Sequence, residues 1–156
     1  MVMPDKRWKD WVVKAGASAG FVGYCPVASG TAGTLVGLLL FLLIQGSLWL
    51  HGAVLTLVFF AGVALSTRAE RLYKEKDSHR IVIDEVAGFL VTMLGFSHVS
   101  WPVLAVAFVL NRVFDIFKPF GLRRLEKAPA GWGVMLDDVG AGIYSNLLLR
   151  GILAIF

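Results

Sequence analysis

The sequence predicts an all-α fold: a polytopic membrane helical bundle of about five transmembrane helices, preceded by an N-terminal interfacial amphipathic helix, in a single integral-membrane domain over residues 1–156. Three observations predict it. Of the 156 residues, 57% are hydrophobic and 17% charged, too little polar surface to cover a water-soluble ball this small. Five apolar stretches of near-spanning length follow one another along the chain. The basic residues fall almost entirely in the segments that such a bundle would leave on one side.

The elements follow in order. Residues 8–24 begin with lysines beside tryptophans (Trp8, Lys9, Trp11, Lys14), the pattern of a helix lying in the membrane interface. No long apolar region follows the charged N-terminal stretch directly, so no cleavable signal peptide is expected. The stretch 33–50 is the first span, and a tight hairpin around 46–52 leads into a shorter second span at 52–66. The third, 81–96, is also short and carries Asp84 and Glu85 near its start. The fourth, 101–117, has Asn111, Arg112 and Asp115 near its end; the fifth, 134–156, has Asp137 and Asp138 near its start. Gly88, Gly140 and Gly142 suit close helix packing.

Charge sets the orientation. Lys6, Arg7, Lys9 and Lys14 precede the first span. Arg68, Arg71, Lys74, Lys76 and Arg80 lie between the second and third. Arg112, Lys118, Arg123, Arg124 and Lys127 end or follow the fourth. Of the 15 Lys and Arg, only Arg150 falls toward the other side. The excess of positive charge marks the cytoplasmic side, so the N-terminus is expected inside and the C-terminus outside. The net charge of +4 then fits anionic lipid headgroups, whereas no module for nucleic acid appears. Arg123 and Arg124 read as anchors at the interface.

The acidic residues follow the same geometry. Asp77, Asp84 and Glu85 lie at the inner end of the third helix, Asp115 at that of the fourth, and Asp137 and Asp138 at that of the fifth. Carboxylates at membrane depth are costly and face a bundle interior or water. Acidic residues in first helical turns also favour the helix dipole, which would account for a single pair. Three helix ends converging at one depth point instead to a site. Six carboxylates need cations, and hard oxygen ligands suit Mg²⁺ or Mn²⁺. The stretch Arg112-Val113-Phe114-Asp115-Ile116-Phe117-Lys118-Pro119 sets two cations beside one carboxylate, with Pro119 stopping the helix. Such an arrangement suits a phosphate held next to a metal. Ser29-Gly30-Thr31-Ala32-Gly33-Thr34 could add amides and hydroxyls at a helix N-terminus, although a structural turn is its simpler reading.

Several chemistries are excluded. His51, His79 and His98 are scattered and form no zinc pattern with the lone Cys25; His51 and His98 read as interfacial. A C-x5-R phosphatase loop from Cys25 would need Arg where Thr31 stands, and one cysteine allows no internal disulfide. An ion path would place acids toward both faces, so a small cation transporter or channel is the weaker alternative.

Four stretches together resemble the phosphatidylglycerophosphatase A family: Ser29 to Thr34, Asp77 to Glu85, Arg112 to Pro119, and Gly131-Trp132-Gly133-Val134-Met135-Leu136-Asp137-Asp138-Val139-Gly140-Ala141-Gly142. Ser29 departs from the Pro that the family usually has at the start of the first motif. The resemblance implies Mg²⁺-dependent hydrolysis of phosphatidylglycerol phosphate to phosphatidylglycerol and inorganic phosphate. It also implies a place among the lipids of the bacterial inner membrane with the site facing the cytoplasm; a homo-oligomer is compatible with it. On this reading Asp84, Glu85, Asp115, Asp137 and Asp138 are the catalytic and metal-binding residues. Arg112 and Lys118, helped by Thr31 and Thr34, bind the phosphate. Attack by water with a carboxylate as base and attack by an aspartate both stay open.

Overall fold

The computed structural model describes residues 5–119 and 121–155. The side chain of Lys6, counted above among the N-terminal basic residues, and Phe156, counted in the fifth stretch, lie outside the described residues. The described chain is helical: α1 (Asp5–Ala17), α2 (Ser29–Ile44), α3 (Leu48–Tyr73), α4 (Ile83–Thr92), α5 (Trp101–Phe117) and α6 (Gly131–Ile155), with short 3₁₀ turns at Val22–Tyr24 and Leu122–Lys127. By length and composition, α3 and α6 can cross a membrane, and α2 is a shorter apolar helix.

Boundaries differ from expectation for local reasons. The N-terminal helix stops at Ala17, not at 24, because Ser18 bonds back to the Lys14 carbonyl and Ala19 to Phe21 turn through positive φ. The second apolar helix is not short. Its 26 residues run through Arg68 and Arg71 to Tyr73, and the left-handed backbone of Lys74 caps it with an N–H to the Glu70 carbonyl. A charged run ended the apolar pattern there, but Ala69, Glu70 and Arg71 are ordinary helix formers. Conversely, α4 has ten residues, about 15 Å of rise, half of a bilayer's roughly 30 Å hydrocarbon core.

This short helix is the centre of the molecule. Every residue from Val86 to Thr92 is buried. Phe41 and Ile44 of α2, Leu104 and Ala107 of α5 and Leu149 of α6 close around Phe89 and Leu90. Lipid is as apolar as this core, so helices gain little from simple burial and rely on close packing. Gly88 and Gly142 supply it where α4 crosses α6: a Cβ on Gly88 would sit 2.9 Å from the Asp138 carbonyl oxygen. Gly140, expected in the same role, instead makes room for Leu122 and Leu125 of the second 3₁₀ turn. A separate cluster of Val13, Ala17, Ala69, Ile81 and Val134 fastens α1 to the rest.

The outer faces carry large apolar side chains such as Leu39, Leu43, Leu57, Phe60 and Leu147. Trp8 and Trp11 are exposed near one end, Trp49 and Trp101 near the other, as interfacial aromatic belts are. His51 is not interfacial: it is buried, with Nε2 2.9 Å from the Leu90 carbonyl oxygen and its ring beside Phe41. His98 is exposed.

Candidate active site

Three helix ends meet where the sequence placed the acids. Asp84 and Glu85 stand in the first turn of α4, Asp115 in the last turn of α5, and Asp137 and Asp138 in the second turn of α6. The last placement matters, because α6 begins at Gly131 and not at 134. The dipole of its first turn therefore does not explain two adjacent aspartates that are 4% and 5% exposed. Something else must compensate their charge.

The carboxylates form two trios. Asp84, Glu85 and Asp138 offer oxygens all within 4.8 Å of one another, and so do Asp115, Asp137 and Asp138. Asp138 belongs to both. Two cations secure the flank. Arg112 Nη1 donates to Asp115 Oδ2 at 2.9 Å and to Thr34 Oγ1 at 3.3 Å. Lys118 Nζ donates to Asp137 Oδ2 at 2.5 Å and also to Glu126 Oε1. Burial works to lower the pKa of the Lys118 ammonium, but its bonds to Asp137 and Glu126 outweigh this and push it up, so it stays charged.

Two buried oxygens, Glu85 Oε2 and Asp137 Oδ1, have no partner among the described residues. A buried carboxylate oxygen without a donor is costly unless a cation fills the gap. One such oxygen stands in each trio, so the donor set fits hard divalent cations held by carboxylates.

These side chains line a cavity of about 340 Å³, with Ser29, Gly30, His79 and Ile116 also on its wall. Gly30 is needed there: a Cβ would press on Glu85 Oε1 and lie 3.0 Å from Arg112 Nη2. A larger groove of about 860 Å³, walled by Leu48, Trp49, Leu57 and Phe60, lies toward the opposite end of α3. It has no titratable side chain and faces outward, so the smaller polar cavity is the chemical one.

The expected phosphate-binding threonines sit differently from their assignment. Thr34 is fully buried, donates to the Gly30 carbonyl at 3.0 Å, and accepts from Arg112, so it steadies that cation. Thr31 is exposed and outside the cavity wall. Ser29 and Gly30 take the place at the wall because α2 already begins at Ser29, which turns Thr31 away on the helix surface. Ser29 is thus the first helical residue, a position that Pro commonly fills. Arg123 and Arg124 are exposed on the 3₁₀ turn. Glu126 was not anticipated. The signal for it was Gly121, whose left-handed backbone opens the 3₁₀ turn that brings Glu126 to Lys118.

Residues 15–153 match the family described as Phosphatidylglycerophosphatase A. A Haemophilus influenzae protein named phosphatidylglycerophosphatase A is 32% identical over 143 residues, covering 90% of this chain and 86% of that protein. The Escherichia coli protein of the same name is 30% identical over 129 residues, covering 81% and 75%. A Bacteroides thetaiotaomicron protein provisionally named phosphatidylinositol-3-phosphatase is 38% identical over 136 residues, covering 81% and 84%. No solved structure matches significantly. The chain belongs to the phosphatidylglycerophosphatase A family of phosphatases.

Proposed function

We propose that the protein hydrolyses phosphatidylglycerol phosphate to phosphatidylglycerol and inorganic phosphate, with Mg²⁺, at the cytoplasmic face of a bacterial inner membrane. The observation that carries this reading is the pair of acidic trios sharing Asp138, each with a buried oxygen unpartnered among the described residues, and the two cations Arg112 and Lys118 paired to Asp115 and Asp137 beside them. The carboxylates of Asp84, Glu85, Asp115, Asp137 and Asp138 would hold the metal. Bound there, Mg²⁺ would neutralise phosphoryl charge and draw electrons from phosphorus.

The chain's own groups do the rest. Arg112 and Lys118 meet the phosphate oxygens with charge-assisted hydrogen bonds. Thr34 keeps the Arg112 guanidinium in place. Ile116, on the cavity wall and 64% exposed, gives the mouth an apolar lip suited to the lipid part of the substrate. In the hydrolysis, water oxygen bonds to phosphorus as a carboxylate oxygen of the cluster takes its proton, the bond from phosphorus to the glycerol oxygen breaks, and that oxygen takes up a proton from the carboxyl to leave as the alcohol; attack by an aspartate of the cluster stays the other route. The basic residues crowding the same end support a cytoplasmic site with the N-terminus inside.

The Bacteroides relative favours a second headgroup, a 3-phosphorylated inositol. Both lipids present a phosphomonoester on a polyol. Phosphate release from each, by the purified protein in detergent with Mg²⁺ and with excess EDTA, tests the reading. Release that needs Mg²⁺ and is faster from phosphatidylglycerol phosphate is expected. Faster release from the inositol lipid would reassign the headgroup; no release from folded protein with any divalent cation would overturn the reading.

A further inference from the structure

We infer that Glu126 is a positioning residue for Lys118, holding its ammonium so that one donor stays free for a phosphate oxygen. The inference rests on the phosphatase reading above. It starts from an electrostatic oddity. Six carboxylates already surround a cavity meant for an anion, and Glu126 brings a seventh to its edge. A seventh negative charge weakens phosphate binding unless it acts through a cation.

Lys118 is that cation. An ammonium has three donors. Two are engaged, by Asp137 Oδ2 and Glu126 Oε1, which are 19 and eight residues away in sequence. The third has no partner among the described residues and remains for a ligand. Lys118 sits on a flexible four-carbon stem, and with Glu126 neutralised the ammonium could fold onto Asp115 and Asp137 and spend its donors there.

The chain invests in this placement. Lys118 ends α5 in the left-handed region at φ 45°, and Gly121 at φ 88° reverses the path. Leu122 and Leu125 then lodge against Gly140. The Glu126 carbonyl oxygen is pinned over Gly133, where a Cβ would lie 2.6 Å away, and accepts from Lys76 Nζ at 3.3 Å. The backbone of Glu126 is thereby fixed, and its carboxylate reaches Lys118.

The test is a double-mutant cycle on the full-length protein with Glu126→Gln, Lys118→Ala and the double variant, alongside Glu126→Asp. Glu126→Gln is expected to raise KM about tenfold with kcat within about twofold, the scale of one hydrogen bond to a charged group. The double variant is expected to match Lys118→Ala alone, and Glu126→Asp, which keeps the charge, to recover part of the loss. An equal loss from Glu126→Gln in the Lys118→Ala background, or an unchanged KM, would overturn the inference. Inorganic phosphate as a probe separates it from the headgroup assignment. The rise in Tm that phosphate gives the wild type should vanish in both single variants even if phosphatidylglycerol phosphate is not turned over. A rise kept in Glu126→Gln but lost in Lys118→Ala would again overturn it.

Discussion

The two ends of α4 face the same physical problem and resolve it differently. A ten-residue helix inside a membrane protein leaves backbone groups without partners at both termini, where water is scarce. At its C-terminal end the protein supplies them all. Asn146 Nδ2 donates to the carbonyls of Val91, Thr92 and Leu94 at 3.3, 2.8 and 2.9 Å. Arg150 Nη2 adds a second bond to Leu94 at 2.8 Å, and its Nε holds Asn146 Oδ1. At the N-terminal end, Asp84 and Glu85 face more carboxylates, and Glu85 Oε2 is left bare. The closed end is structure, whereas the open end holds potential energy in reserve for a ligand. Substitutions should therefore separate: those at the open end change turnover and spare stability, and those at the closed end do the reverse.

The sharpest case is Asp138→Asn. Loss of outer partners of metal ligands costs about 10–100-fold, so loss of a carboxylate shared by both trios should cost more, on the order of 10³-fold in kcat/KM. Removing one of several crowded charges should leave the metal-free protein at least as stable, with a Tm equal to or above that of the wild type. A thermal melt beside a phosphate-release assay reads both. A lower Tm together with the lost activity would make Asp138 a structural residue and break the comparison.

Lys118→Ala comes next. It removes one of two cations at the site, and a fall in kcat/KM of about 10–100-fold, carried mostly by KM, is expected. Lys118→Arg should not restore it fully, since a planar fork does not place its donors as an ammonium does. Equal activity in the wild type and Lys118→Ala would remove Lys118 from the site.

Much of the open end was legible in the sequence and little of the closed end was. Hydrophobic runs, positive charge on one side and doubled acids are local patterns, each readable within a few residues. So Asp84, Glu85, Asp115, Asp137 and Asp138 were read as one cluster, which the helix ends do bring together. The cap on α4 joins residues 52 to 56 positions apart, and nothing near Leu94 announces that Asn146 and Arg150 end the helix there. Arg150 therefore read only as a stray charge on the outer side. His51 read as interfacial for the same reason, because its partner, the Leu90 carbonyl, is 39 positions away. Glu126 lay in a segment read for its basic residues. Thr34 was assigned to phosphate because its helix was taken to start later than Ser29.

At the closed end, Asn146→Ala removes two N–H donors shared among three carbonyls and the acceptor of Arg150 Nε, the equivalent of about three bonds. Hydrogen bonds between membrane helices average about 0.6 kcal/mol each, so a loss of about 2 kcal/mol is expected. For a chain of this size that is a fall in Tm of about 4–8 °C. The kcat/KM of the folded protein should stay within about twofold, as is usual for a change with no contact to the reacting groups.

Arg150→Lys is the smallest effect and the finest probe. It keeps the charge, but it loses the bidentate reach to Asn146 and Leu94 and the stacking over Phe96 at 4.6 Å. About 1 kcal/mol and about 2–4 °C in Tm are expected, with turnover unchanged. The alternative outcome is instructive. If turnover fell while Tm held, the cap would be setting the position of α4 along its axis, and with it the spacing of Asp84 and Glu85 from Asp138. Gly88 and Gly142 pack α4 against α6 too closely for either helix to slide. A rigid contact of that kind should absorb a weakened cap as lost stability and not pass it on to the acids, so the two ends should remain independent.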